Sequence, residues 1–423
     1  MSTPTSPAVP GLSGKSYLRL VLLGALIGIP AALVAALFLA LVHTGENWLW
    51  DDLPTSMGYA SPPWFLVLGL PTLGGVLVLL VRRFLPGDGG HSPLDGIGGG
   101  VRPLSHAPGI ALAALATLAF GEVLGPEAPL IALGSATGVA ATVLVKVQAR
   151  EKDVLGTAGS FSAVSALFGG PLVAGMLLLE GAVGLGAAAI PVLLPGLVAA
   201  ALGYVLFIGL GDWGGLNTTS LRIPDLPAYD GTHITDLLIA IVIGVLLALV
   251  MFAVRRLATA LRERAKAGAM GLMLVGGGLA VGLLSLAAGA LGADRQDVLF
   301  SGQSAIPEVV AETSGATIVV LLLAKGVAYA ICLGVGFRGG PVFPAIFLGI
   351  AMAMLAVVWL DVSPTLAVAV GAAAGMAAAT RLVFSALLFA LLLVGGGGLD
   401  AAPAAVLAVA AAWITTAALD RRA

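Results

Sequence analysis

Gly125-Pro126-Glu127-Ala128-Pro129-Leu130-Ile131-Ala132-Leu133-Gly134 sets one carboxylate between two prolines where an apolar helix begins. Pro129 suits the first helical turn, where its missing N–H is not needed. Gly125 lets the backbone bend sharply into that turn. The helix then starts with unpaired N–H groups and a partial positive charge. Such a terminus at membrane depth can hold an anion, and Glu127 is an anion tethered in that place. The stretch predicts a carboxylate that competes with a mobile ion for one site.

The surrounding chain supplies the membrane. Of 423 residues, 59% are hydrophobic and 10% charged, against about a quarter charged in a soluble protein. Mean hydropathy is +1.08. The runs Leu18 to Val42, Trp64 to Val81, Ile190 to Leu210 and Leu237 to Val254 each approach or exceed the roughly 20 residues of a spanning helix. The fold class is therefore all-α, a polytopic integral membrane protein in a lipid bilayer. A net charge of −2 points away from nucleic acid, and no protein partner is evident. Cys332 is the single cysteine, so disulfides and thiolate metal sites are excluded, and no metal or cofactor is expected. Residues 1–14 read as a disordered tail. The first apolar run is too long for the roughly 7–15-residue core of a signal peptide and reads as a retained helix.

Loop charges give an orientation. Lys15 and Arg19 precede the first helix, the loop after it is acidic, and the second helix ends on Arg82 and Arg83. The helix after the acidic 212–236 segment runs into Arg255, Arg256, Arg262, Arg264 and Lys266, and Arg421 and Arg422 come last. The bias of Lys and Arg toward the cytoplasm puts both termini inside, in a plasma (inner) membrane.

The polar 212–236 connection divides the chain into halves, 15–211 and 237–423. Each half carries Gly-Pro-x-x-Pro before an apolar helix: Gly125 to Pro129, and Gly340-Pro341-Val342-Phe343-Pro344, 215 residues later. The leading helices of the two halves would run in opposite directions. The halves thus predict an inverted repeat whose broken helices meet at the midplane. Glycines concentrate at the same breaks, and non-helical backbone at membrane depth has to be buried in protein or line a cavity.

At Gly121-Glu122-Val123-Leu124-Gly125-Pro126-Glu127-Ala128-Pro129 the chain resembles the CLC family of chloride channels and proton-coupled chloride transporters. Gly339 to Pro344 resembles the family's second pore segment, with Val342 where a Phe usually stands. Phe168-Gly169-Gly170-Pro171-Leu172-Val173-Ala174-Gly175 is similar to the opening of its dimer-facing helix. The likeness runs from about Lys15 to about Ala418 and is nearest a bacterial branch described only as ion-transport proteins. It implies a homodimer with one anion path per subunit, no enzyme activity, and no cofactor beyond chloride or a similar transported anion. No cytoplasmic regulatory domain is expected. It also implies that Glu127 is the gate, occupying an anion site when ionised and swinging aside when protonated. Burial and the helix dipole pull that equilibrium in opposite directions. The implied anion-binding positions are Gly125, Pro126, Ala128, Gly340, Val342 and Phe343, together with Gly90, His91 and Ser92 of the loop Gly87 to Gly96.

Four departures from the family pattern matter. Gly90 and His91 stand where the family has Ser-Gly, so the anion loses a hydroxyl, although Ser92 is nearby and His91 is able to bring a pH-dependent charge. Pro341 removes one backbone donor, leaving Val342 and Phe343. No tyrosine occurs beyond Tyr329, so the tyrosine that closes the family's inner gate is absent or replaced. The internal proton glutamate falls on Gly181, beside Glu180, which either relays protons or faces a cytoplasmic vestibule. Glu122 is an additional carboxylate that either joins the proton route or pairs with Arg338 or Lys325. Arg381 reads as a loop anchor.

Two other classes compete. An intramembrane hydrolase needs a nucleophile with a membrane-embedded histidine, but His43, His91, His106 and His233 all fall in or beside loops, and no His-Glu-x-x-His occurs. A secondary transporter of another small anion or solute on an inverted-repeat fold differs only at the motifs. Fluoride is disfavoured because the family's fluoride specialists use other residues there.

Overall fold

The computed structural model describes residues 14–98, 100–144, 149–181, 190–214, 222–229 and 231–421. The expected tail, apart from Gly14, and residues 215–221 and 230 of the polar connection lie outside the described residues. With no water in the hydrocarbon core, each apolar segment has to satisfy its own backbone groups, and the segments accordingly form helices. We number them α1 (Gly14–Asn47), α2 (Trp64–Phe84), α3 (Ala107–Leu118), α4 (Glu127–Leu144), α5 (Ala149–Leu167), α6 (Pro171–Gly181), α7 (Ile190–Gly214), α8 (Ile234–Arg264), α9 (Met270–Ala290), α10 (Gly315–Val335), α11 (Val342–Leu360), α12 (Pro364–Thr380), α13 (Phe384–Val394) and α14 (Ala402–Asp420). Among the described residues, seven apolar stretches are long enough to cross a membrane, and α3, α4, α6, α12 and α13 lie in shorter apolar helices. The 57-residue stretch Ile234–Ala290 is two helices, turned at Gly268 with φ 98°. The protein is an all-α integral membrane protein.

Two compact units are distinguished. The first comprises Met1–Ala40, Gly99–Ala107 and Leu130–Thr219; the second comprises Leu41–Gly98, Pro108–Pro129 and Ser220–Ala423. In the first, Gly24 and Gly28 of α1 lie against the Pro195 and Ala199 carbonyls of α7, and Gly134 and Gly138 of α4 face Gly159 and Leu155 of α5. A Cβ at any of these glycines would strike backbone, so small residues set how closely the helices approach. Ser160, Ser162 and Ser165 on α5 donate to the carbonyls of Ile131 (2.9 Å), Gly28 (2.7 Å) and Ala200 (3.0 Å). Hydroxyls in this setting remain satisfied without water.

The second unit is built on the same principle. Gly278 and Gly282 of α9 take the Pro71 and Val67 carbonyls of α2, while Gly349 of α11 meets Gly371 of α12. Gly134 and Gly349, at which these two crossings form, each follow the first glycine of their Gly-Pro-x-x-Pro motif by nine residues. Most of the α11 window is buried within the protein (78%), compared with 33% for α2. A helix apolar on all sides and buried in this way belongs to the interior. Helix α11 is therefore an interior helix, and its first turn opens inside the unit.

Candidate functional site

Both Gly-Pro breaks lie in the second unit, and they meet. The Gly125 N–H donates to the Gly340 carbonyl (2.8 Å) and the Gly340 N–H to the Gly125 carbonyl (2.5 Å), an isolated antiparallel pair. The exchange satisfies four backbone groups that neither α4 nor α11 can reach, as burial demands. A Cβ at either position would run into the Glu127 carboxylate, so the two glycines leave room for that side chain.

Beyond the pair each chain enters its helix, α4 at Glu127 and α11 at Val342. The Val342 N–H donates to Glu127 Oε1 at 2.6 Å and the Phe343 N–H to the same oxygen at 3.2 Å. Pro341 is the N-cap of α11 and has no N–H to offer. Glu127 is fully buried, and its Oε2 has no hydrogen-bond partner among the described residues. No Lys or Arg among the described residues forms an ion pair with it. Its charge faces a helix N-terminus instead, an arrangement that suits any small anion. Pro126, Ala128, Gly340, Val342 and Phe343 are buried around the carboxylate, with the Phe343 ring edge-on to Phe389 at 5.9 Å.

Gly90, His91 and Ser92 form the loop before the 3-10 turn Pro93–Asp95, with Gly90 at φ 105°. This loop is clamped to the approach of the second motif. Arg338 donates through Nε to the Asp88 carbonyl (2.9 Å) and through a terminal nitrogen to Asp88 Oδ2 (2.5 Å). Arg82 completes the cluster with Asp88 at 2.8 and 3.0 Å, and reaches the Gly336 carbonyl at 2.8 Å. Two arginines on one carboxylate leave a net positive charge beside the segment Gly336 to Gly340.

Glu122 is fully buried, and neither cation named as its partner pairs with it. Arg338 is engaged by Asp88, and the Lys325 ammonium donates to the Asp297 and Leu299 carbonyls, both at 2.7 Å, with the Phe347 ring 4.6 Å away. The contact at Glu122 is instead the Cys332 thiol, which donates to Oε2 at 3.2 Å; Oε1 has no partner among the described residues. Glu180 and Gly181 lie on α6, in the first unit, with Glu180 half-buried. Arg381 caps the end of α12 in a left-handed conformation and pairs with Asp420, which anchors that turn to α14.

Sequence reasoning passed over a row on α10. Lys325, Tyr329 and Cys332 fall at i, i+4 and i+7, one face of a helix, and all three are buried. The Tyr329 hydroxyl donates to the Pro341 carbonyl at 2.7 Å. The spacing was visible in the sequence, but their partners were not.

The loop that receives Lys325 yields a stability prediction. Asp297, on the short helix Arg295–Val298 outside the apolar spans, has its pKa pushed up to about 6 by burial and by Asp294, with Lys325 pulling the other way. A carboxyl raised in the fold makes stability fall as pH climbs from the ordinary carboxylate value through about 6. Asp297→Asn is expected to flatten that part of the melting-temperature profile in detergent and to raise the midpoint at neutral pH. An unaltered profile would contradict the assignment.

The Voltage gated chloride channel family model matches residues 73–417, which include both motifs and the loop before them. The chain belongs to the CLC family. The chain is 32% identical over 352 residues to "Putative ion-transport protein YfeO" of Escherichia coli O7:K1, covering 81% of the chain and 79% of the relative. The protein of that name from Shigella boydii serotype 4 matches at 32% over 354 residues, with 81% and 79% covered. Among solved structures, a slow cyanobacterial Cl−/H+ antiporter superposes with a TM-score of 0.77 at 15% identity, covering 95% of each chain. A CLC-type fluoride/proton antiporter follows with a TM-score of 0.73 at 20% identity, covering 95% and 96%. At these identities the structural likeness speaks for the fold. Family membership makes the chain an anion-transport protein of the channel or H+/Cl− antiporter fold, in a family of transporters rather than enzymes.

Proposed function

We propose that the protein carries a small inorganic anion, chloride in the first instance, and that protonation of Glu127 gates the passage. The supporting observation is the pair of bonds from the Val342 and Phe343 amides to Glu127 Oε1. Those donors are the first two of α11, and a tethered carboxylate now occupies the position an anion would take. When Glu127 binds a proton it loses its charge and with it most of the attraction to the helix terminus, since charge-assisted bonds are roughly twice as strong as neutral ones. The side chain leaves, and a mobile anion takes the amides. When the proton is released, the carboxylate returns and expels the anion.

In this reading the halves 15–211 and 237–423 are an inverted repeat, and the assembly is a homodimer in the plasma membrane with both termini cytoplasmic. Gly90, His91 and Ser92 line the approach. Glu122, with one unpartnered oxygen among the described residues, is the favoured second proton carrier; Glu180 is the other. Gly90 in place of a serine favours weak discrimination, so another small anion is the second reading.

The test is the reversal potential of reconstituted protein under separately imposed chloride and proton gradients. A channel reverses at the anion equilibrium potential whatever the proton gradient, whereas an exchanger shifts with both. A potential indifferent to every small anion tested rejects anion transport.

A further inference from the structure

In the second unit α2 and α9 run antiparallel. Gly278 lies against the Pro71 carbonyl, Gly75 against the Leu274 carbonyl and Gly271 against the Leu79 side chain, so positions climb on one helix as they fall on the other. Carried one turn further, that register sets Arg83 beside the turn Ala265–Ala269, which joins α8 to α9. Each of the two helices has 21 residues. At 1.5 Å per residue that is about 32 Å, the thickness of a hydrocarbon core of about 30 Å. The corner where α2 ends and α9 begins therefore stands at the depth of the lipid headgroups.

Three exposed cations come together here: Arg83 from the end of α2, Arg264 from the end of α8 and Lys266 from the turn. The neighbouring carboxylates do not cancel them. Asp88 is shared by Arg82 and Arg338, and Asp95 is taken by Arg262. Glu263 approaches Lys266 at 3.6 Å, with side chains 63% and 64% exposed. An ion pair so open to solvent contributes little. Arg83 and Arg264 have no ion-pair or hydrogen-bond partner among the described residues. Beside the cations, Phe84 and Leu272 are 73% and 77% exposed. The corner thus sets surplus positive charge next to bare apolar side chains. A phospholipid of net negative charge presents the complement, a phosphate at the top of two hydrocarbon chains.

We propose that the corner formed by Arg83, Arg264 and Lys266 binds the headgroup of an anionic phospholipid, with Phe84 and Leu272 against the upper part of its acyl chains. A zwitterionic lipid carries its own ammonium and lacks the net charge to hold these cations. The bound phosphate fixes the end of α2. Arg82, one residue before Arg83, donates to the Gly336 carbonyl at 2.8 Å and shares Asp88 with Arg338. A headgroup on Arg83 therefore steadies the helix end that holds the approach to Gly340.

The test takes the purified protein in a neutral detergent and adds phosphatidylglycerol, phosphatidylcholine or soluble glycerol phosphate at equal concentration. Bound lipid is counted by native mass spectrometry, and the melting temperature is read alongside. The parent is expected to retain phosphatidylglycerol over phosphatidylcholine and to melt higher with it. Arg83→Gln, Arg264→Gln and Lys266→Gln should each weaken phosphatidylglycerol binding about fivefold, the factor given by about 1 kcal/mol per cation at an anionic lipid surface. Arg83→Lys should keep most of the binding. Lys15→Gln, which removes an exposed cation of the first unit, should leave it unchanged. The triple glutamine variant should lose the melting gain while melting like the parent in phosphatidylcholine, which separates lost lipid from a damaged fold. Equal retention of the two lipids by the parent, or a triple variant that retains phosphatidylglycerol as the parent does, overturns the site. A loss as large in Lys15→Gln reduces the effect to overall charge and overturns it too. An equal melting gain from glycerol phosphate makes the ligand a free phosphate and overturns the lipid assignment.

Discussion

Glu127→Ala is expected to pass anions at a rate that no longer depends on pH. In the parent, each pH unit above the midpoint of the gate lowers the protonated fraction about tenfold. Two units above it, the variant should therefore conduct about a hundred times better than the parent, and near or below the midpoint the two should converge. Glu127→Gln is the milder change. Its carbonyl oxygen is able to accept from the Val342 and Phe343 amides, as Glu127 Oε1 does, but without charge. Its residence in the seat should be short and independent of pH. The measurement is anion efflux from proteoliposomes across a pH series. Efflux from Glu127→Ala that still follows pH as the parent does removes Glu127 from the gate.

The second large effect is expected at Gly340. A Cβ there would fall on the Glu127 carboxylate, with Oε1, Oε2 and the carboxyl carbon all inside contact distance. Gly340 needs no left-handed conformation, since its φ is not among the positive values. Gly340→Ala therefore displaces the carboxylate without first straining the backbone. The seat is emptied by volume instead of by protonation. Efflux at high pH should rise by at least about tenfold, the change that a loss of about 1.4 kcal/mol in seat affinity produces. A double-mutant cycle separates this from general damage. If the alanine acts by evicting Glu127, adding it to Glu127→Ala should change efflux little, because the two substitutions remove the same interaction. Full additivity would mean that Gly340→Ala acts elsewhere, for example by loosening the Gly125–Gly340 backbone pair.

The parts legible in the sequence were those that depend on short stretches of chain. Hydropathy marked the spanning helices, because burying unpaired backbone in hydrocarbon forces helix formation wherever about 20 apolar residues run together. The prolines and glycines at Gly125 to Pro129 and Gly340 to Pro344 marked helix starts, because Pro129 and Pro344 fit only a first turn and the glycines permit the close approach seen there. Loss of the Pro341 donor was legible for the same reason, as was the capacity of Val342 and Phe343 to donate. Glu122 shows the limit. Its isolation among apolar residues was plain, and Arg338 and Lys325 were reasonable partners by charge, yet the packing gives it a thiol. Lys325 is satisfied by two carbonyls and a ring face instead, and Arg338 by a carboxylate 250 residues earlier.

The sequence by itself determined that this is an all-α membrane protein with two Gly-Pro helix starts half a chain apart, and which acid stands at the first. Only the tertiary structure decided that the two starts join through Gly125 and Gly340, that Glu127 rests on the second helix and not just its own, and that Tyr329 grips the same peptide from its carbonyl side. Helix propensity and hydropathy act over neighbouring residues, whereas these contacts join segments 215 residues apart for Glu127 and Val342 and 210 apart for Glu122 and Cys332. Such pairs are chosen by which glycines let helices close and which buried polar groups then find one another.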